Sequence, residues 1–286
     1  MKSGIVALIG RPNTGKSTLI NALVGQKVSI TSPKPQTTRY AIQAVYEDER
    51  GQIIFIDTPG IFGKTEDLLS RKINPRAEDV VTGGVDVVVY LVDHTRERSY
   101  EENKTLGIVR KTTAPKILAF NKSDVSKPDF RIQYKFMEEE FDRVIEISAM
   151  SHANLNKLLD LIFEFLPVGK PMVDTSKLTQ PGLNIDSRTF VAELIREKAF
   201  IFLRRELPYS VTVVVDDIDN RENGTMYVKA RILTNTEKYK GMIVGHGGSM
   251  IKEISMATRK ELETATNRKV YVDLIVETDP HWMDYV

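Results

Sequence analysis

The chain has 286 residues, 41% of them hydrophobic, enough for two domains with separate cores. Its 40 basic and 39 acidic residues leave a formal charge of +1, which neither favours nor excludes nucleic acid. The absence of cysteine excludes disulfides and thiolate metal sites and fits a reducing cytoplasm, and no apolar run nears the roughly 18 residues of a membrane-spanning helix.

From residue 4 to about 166, the apolar runs "GIVALI", "IIFID", "VDVVVYLVD", "KILAFN" and "RVIEIS" alternate with polar or amphipathic stretches. This predicts βα units on a mostly parallel sheet with helices on both faces. The N-terminal run is too short for a secretory signal and is needed as the first strand. It leads into "GRPNTGKST", where Gly10, Gly15, Lys16 and Ser17 satisfy the phosphate-loop pattern G-x-x-x-x-G-K-S/T, with Asn13, Thr14 and Thr18 completing the loop. Glycines let successive backbone N–H groups and a helix N-terminus surround a phosphate. Lys16 adds positive charge near the β and γ phosphates, and the Ser17 hydroxyl suits a Mg²⁺ coordination position.

Three later motifs each follow an apolar strand. In "DTPG", Asp57 is placed to hold Mg²⁺ through water and the Gly60 N–H to sense the γ-phosphate. In "NKSD", Asn121, Lys122 and Asp124 read the base: a carboxylate at Asp124 accepts from the N1–H and the exocyclic amine of guanine, whereas adenine has no N1–H to offer. In "ISAM", Ala149 supplies a backbone N–H for the guanine carbonyl, with Ser148 beside it in the nucleotide site. The expectation is an α/β GTP-binding domain over 1–168.

The stretch 166–182, with three prolines and no periodicity, marks a linker, bounded at 169–182. The remainder, 183–286, predicts an α+β domain: helix 187–206, strand 209–216, a turn at "NRENG", strand 225–234, helix, glycine loop, helix 249–265 and strand 269–277. The loop lies in "MIVGHGGSMI". With 17 glycines in the chain, about one G-x-x-G pair arises by chance, so only its place between two helices gives it weight.

The set "GRPNTGKS", "KPQTTR", "DTPG", "NKSD" and "ISAM" resembles the TrmE–Era–EngA group of translation GTPases, and "VGQKVSITSPKPQTTR" followed by "ELPYSVTV" resembles its Era branch, over nearly the whole chain. The resemblance implies GTP/GDP and Mg²⁺ as ligands, with Thr38 (Thr37 being the less favoured neighbour) closing on Mg²⁺ and the γ-phosphate. It also implies GTP hydrolysis during small ribosomal subunit (30S) assembly and binding near the 3′ end of 16S rRNA. Where other GTPases carry a water-orienting glutamine, this chain has Ile61, so intrinsic turnover is expected to be slow. Relatives of this kind place K⁺ beside the phosphates, and Asn13 matches their K⁺ ligand. Lys16, Thr38, Asn13 and Gly60 are the catalytic candidates.

By the same resemblance the second domain is a KH fold in its bacterial (type II) order. In that module a loop, here Gly245, His246, Gly247 and Gly248, closes on the backbone of about four single-stranded nucleotides. Ile243 and Val244 precede it, and Lys238, Lys240, Lys252, Arg259 and Lys260 flank it as phosphate contacts. From residue 181 on, 15 basic residues face 16 acidic ones, so the attraction must be local. KH loops often carry Lys or Arg between the glycines; His246 and Gly247 stand there instead, implying weaker or more pH-dependent affinity. A cytoplasmic monomer without a DNA partner is expected, with peripheral contact with the cytoplasmic membrane left open. The alternatives are an RNA-binding switch with negligible hydrolysis and another translation GTPase acting on a different RNA. A tRNA-modification GTPase would end in a cysteine motif, and a double-domain relative would need a second phosphate loop.

Overall fold

The computed structural model describes residues 1–25, 27, 42–58, 83–175, 187–221, 223–266 and 268–285. They form two compact units, one from the described residues up to Thr175 and one from Ser187 onward. Thr37, Thr38, Gly60 and Ile61 lie outside the described residues, as does part of the expected linker.

The first unit contains β1 (Lys2–Ile9), α1 (Lys16–Val24), β2 (Ile42–Asp48), β3 (Gly51–Asp57), β4 (Val87–Asp93), α2 (Tyr100–Val109), β5 (Lys116–Asn121), β6 (Arg143–Glu146) and α3 (Leu155–Phe165). Its sheet has the order β2-β3-β1-β4-β5-β6, and every neighbouring pair is parallel except β2 with β3. The β-branched runs belong to strands covered on both faces. Ala7, Ile9, Val88, Tyr90 and Val92 pack with Leu106 and Val109 of α2, while the alternate residues Val6, Leu8, Val87, Val89 and Leu91 are equally buried.

β2 is absent from the sequence reading, which followed βα alternation and passed over "IQAVYED". Its pairing with β3 is completed by a tight turn in which Asp48 accepts from the Tyr46 hydroxyl (2.7 Å), the Arg50 N–H (2.8 Å) and Arg50 Nε (3.0 Å). A parallel sheet places the C-terminal ends of its strands along one edge, where ligands bind in open α/β folds. Ile9, Asp57, Asp93 and Asn121 are such ends, in register through Leu8 opposite Asp57, Ile9 opposite Tyr90 and Asp93 opposite Asn121.

The second unit runs α4 (Ser187–Phe202), β7 (Val211–Asn220), β8 (Met226–Thr234), α5 (Glu237–Val244), α6 (Ser249–Thr266) and β9 (Val270–Thr278). β7 and β8 are antiparallel, and β8 and β9 parallel. The expected order of elements is present, with three boundaries shifted by two residues or more. The first helix stops at Phe202, before a 3-10 turn at Leu207–Ser210 that contains Pro208, and β7 begins at Val211. β7 also continues through the polar "DDIDN" to Asn220, because the ladder to β8 uses backbone groups whatever the side chains. In β9, Val270, Val272, Leu274 and Val276 are buried while Tyr271 and Ile275 are exposed, so this sheet covers its helices with one face only.

Candidate functional site

The phosphate loop leaves β1 and enters α1 as its spacing predicts. Gly15 has φ 97°, and a Cβ there would stand 2.3 Å from Asn121 Nδ2, so only glycine admits both the turn and the neighbouring side chain. Asn13 is exposed and also left-handed (φ 63°). The Lys16 ammonium, buried, donates to the carbonyls of Gly10 (2.7 Å) and Arg11 (3.0 Å). Burial pulls its pKa down to about 8, against the opposing charges of Asp57 and Glu102. Thr14 donates its hydroxyl to the Arg11 carbonyl (3.1 Å), and Thr18 follows Ser17 in the first turn of α1.

Ser17 and Asp57, forty residues apart in sequence, meet: Ser17 Oγ donates to Asp57 Oδ2 at 2.7 Å, with Asp57 fully buried at the end of β3. A hydroxyl and a carboxylate side by side are hard oxygen donors of the kind Mg²⁺ takes, so the residues present fit that ion.

The base-reading motifs converge on Asn121. Its Nδ2 donates to the Thr14 carbonyl (2.7 Å) and its Oδ1 accepts from the Ala149 N–H (2.9 Å), tying "NKSD" to the phosphate loop on one side and to "ISAM" on the other. Ser148 donates its hydroxyl to Asp124 Oδ1 (2.5 Å), orienting an exposed carboxylate from a fully buried position. Lys122, left-handed at φ 68°, has Nζ 2.6 Å from Asp93 Oδ2 and its carbonyl 3.0 Å from His94 Nε2. Burial alone would raise the Asp93 pKa, but hydrogen bonds from Lys122 and Thr95 and the charge of Lys122 together hold it below the usual carboxylate value.

Asp93 and His94 escaped the sequence reading, although an aspartate ending the apolar run "VVVYLVD" is the kind of strand-edge polar residue that marked Asp57. Asn121 was expected to bind nucleotide; its bridging role could not be read from "NKSD" alone.

In the second unit, Gly245 (φ 74°, ψ 171°) follows α5, a short 3-10 turn covers His246–Gly248, and α6 starts at Ser249. A Cβ on Gly245 would lie 2.8 Å from Met250 Cβ and 2.9 Å from the Met250 nitrogen, so that glycine lets two helices meet. His246 and Gly247 are exposed, and Val244 and Gly248 half-buried. Ile243 is fully buried and supports the loop from the core. Lys238, Lys252, Arg259 and Lys260 are exposed, but Arg259 is held by Glu263 (3.0 Å) and half-buried Lys240 lies 3.6 Å from Glu237. No helix among the described residues is long and apolar enough to cross a membrane.

Comparison with known proteins covers both units. A family of 50S ribosome-binding GTPases matches residues 5–122, and the KH domain family matches residues 206–283. GTPase Era of Halothermothrix orenii is 40% identical over 288 aligned positions, covering 99% of this chain and 95% of the relative. GTPase Era of Thermotoga maritima is 38% identical, covering 99% and 94%. Among solved structures, a variant of Aquifex aeolicus Era bound to GDP·AlF4⁻ superposes with a TM-score of 0.90 at 34% identity, covering 99% of this chain and 95% of that one. Era in complex with MgGDPNP and nucleotides 1506–1542 of 16S ribosomal RNA superposes with a TM-score of 0.89, at the same identity and coverage.

Proposed function

The chain belongs to the Era family of GTPases, and from that premise we propose that it binds GTP with Mg²⁺, hydrolyses it slowly, and couples this cycle to RNA held by its KH unit. The RNA is the 3′ region of 16S rRNA, and the setting is assembly of the 30S subunit in the cytoplasm. The observation that carries the nucleotide half is the Asn121 bridge, which joins the phosphate loop at Thr14 to the Ala149 N–H, while the neighbouring Ser148 hydroxyl orients the Asp124 carboxylate. The solved Era complexes with GDP·AlF4⁻, and with MgGDPNP and 16S rRNA, support both halves.

Each residue then has a task. Lys16 and the N–H groups of Gly10–Ser17 surround the β and γ phosphates, offsetting charge as the terminal phosphoryl group leaves. Ser17, Asp57 and Thr38 would hold Mg²⁺, whose charge neutralises the phosphate oxygens when bound. Asp124 accepts from the guanine base, and Gly60 senses the γ-phosphate.

The nucleotide preference has a direct test. Asp124→Asn replaces an acceptor by a donor, which suits the C2 carbonyl of xanthine. Binding titrations should show GDP weakened by about 100-fold or more and xanthosine diphosphate tightened; unchanged preference would refute the assignment.

With Ile61 in place of a water-orienting glutamine, the attacking water lacks a protein partner there. We propose that Asn13 holds K⁺ beside the phosphates. Turnover should be faster in KCl than in NaCl at equal ionic strength; equal rates would refute K⁺ assistance, and no turnover in either salt would favour a non-hydrolysing switch. Exposed Lys252, with Lys238 and Lys260, supplies the local positive charge for RNA beside Gly245–Gly248, while Lys240 and Arg259 would first have to leave Glu237 and Glu263.

A further inference from the structure

A buried ionic pair links a side chain of the phosphate loop itself to a neighbouring helix, and neither side chain has a task in the binding described above. Arg11 and Glu102 have side chains only 1% and 2% exposed, with Arg11 Nε 2.8 Å from Glu102 Oε2. The rest of the guanidinium is also engaged: Nη1 donates to the Glu97 carbonyl (2.9 Å) and Ser99 Oγ (3.2 Å), and Nη2 to the Arg96 carbonyl (3.3 Å) and the Tyr134 hydroxyl (3.4 Å). Tyr90 donates its hydroxyl to the other Glu102 oxygen, and Arg96 Nη1 donates back across the gap to the Pro12 carbonyl (2.9 Å). The loop is thereby fastened along its outer side to the segment between β4 and α2.

A buried ion pair is a poor device for stability alone, since an apolar pair of similar volume often serves as well or better. What the planar fork of an arginine provides is orientation. Arg11 is fastened by its side chain, while its own carbonyl accepts from Lys16 Nζ (3.0 Å) and from Thr14 Oγ1 (3.1 Å). The adjacent Gly10 carbonyl takes the other bond from Lys16, at 2.7 Å. Fixing Arg11 therefore fixes the two carbonyls that aim the lysine.

We propose that Arg11 and Glu102 are positioning residues, a buried brace that holds the first turn of the phosphate loop, and through it the Lys16 ammonium, in binding geometry before nucleotide arrives. The proposal rests on the reading of Gly10–Ser17 as the phosphate site. Preorganised groups contribute to affinity because their ordering cost is met in folding rather than in binding. Lys16 addresses the β-phosphate, so the brace acts on GDP and GTP and not on GMP.

The test compares the full-length wild type with the double variant Arg11→Met/Glu102→Leu and with Arg11→Lys, measuring the nucleotide-free melting temperature and the affinities for GDP and GMP. The double variant removes both charges at similar volume, so it should melt within a few degrees of the wild type while GDP affinity falls about tenfold or more and GMP affinity stays the same. Arg11→Lys keeps a cation beside Glu102 without the fork and should lose severalfold in GDP affinity. This single variant decides the matter if the double variant does not fold. Wild-type GDP affinity in either folded variant, or an equal loss for GMP and GDP, would overturn the brace. Failure of the wild type itself to bind GDP would instead overturn the phosphate-site reading.

Discussion

At Gly247 the backbone has φ 57° and ψ 23°, and no atom stands within 4 Å of the position a Cβ would take. An L side chain there meets no clash and costs about 1 kcal/mol for the left-handed conformation. The glycine is thus conformationally favoured where a basic residue was expected for RNA, and charge and backbone strain compete at one position. Gly247→Arg should lower the melting temperature slightly and tighten single-stranded RNA roughly three- to tenfold at low salt, the gain fading as salt rises. Filter binding at two ionic strengths checks both parts. Gly245 and Gly15 differ from Gly247, because they are glycines by contact as well as by angle, and no charge gained at either would offset the clash.

Among the elements, the parallel strands act as a set: their ends deliver Asp57, Asp93 and Asn121 to one edge, and side chains then join strand to strand. Asp93 of β4 clips Lys122, just beyond β5, at 2.6 Å. Its carboxyl has a folded pKa below the unfolded value, so the stabilisation is present above about pH 4 and is lost as pH falls through the lower folded value. Asp93→Asn should reproduce the acid state at neutral pH, weakening GDP roughly five- to tenfold, and the wild type should lose its advantage over this variant only in acid. Titrations of both proteins with GDP across pH 3–7 measure it. β2 shows the reverse relation between local pattern and fold, since it is set by antiparallel pairing to β3 and by the Asp48–Arg50 turn rather than by a βα repeat.

For the whole molecule, the proposed function couples a nucleotide site in one unit to an RNA site in the other. Linkage then requires that 16S rRNA 3′-end RNA tighten GTP-analogue binding by the same factor by which the analogue tightens RNA binding. Calorimetric titration of each ligand with and without the other tests this, and independent binding would refute the coupling while leaving both sites standing. The motifs Gly10–Ser17, "DTPG", "NKSD", "ISAM" and Gly245–Gly248 were legible from sequence because each is a short local answer to a chemical demand: phosphate needs backbone N–H groups, guanine a carboxylate, a nucleic acid backbone a close approach. Strand and helix periods were legible for the same local reason. The tertiary structure alone decided that Asn121 bridges three motifs, that Asp93 holds Lys122, that Arg11 pairs with Glu102, and that Ile243 lies in the core. These contacts join residues far apart in the chain, and no sequence period encodes which buried polar groups satisfy one another once the sheet has closed.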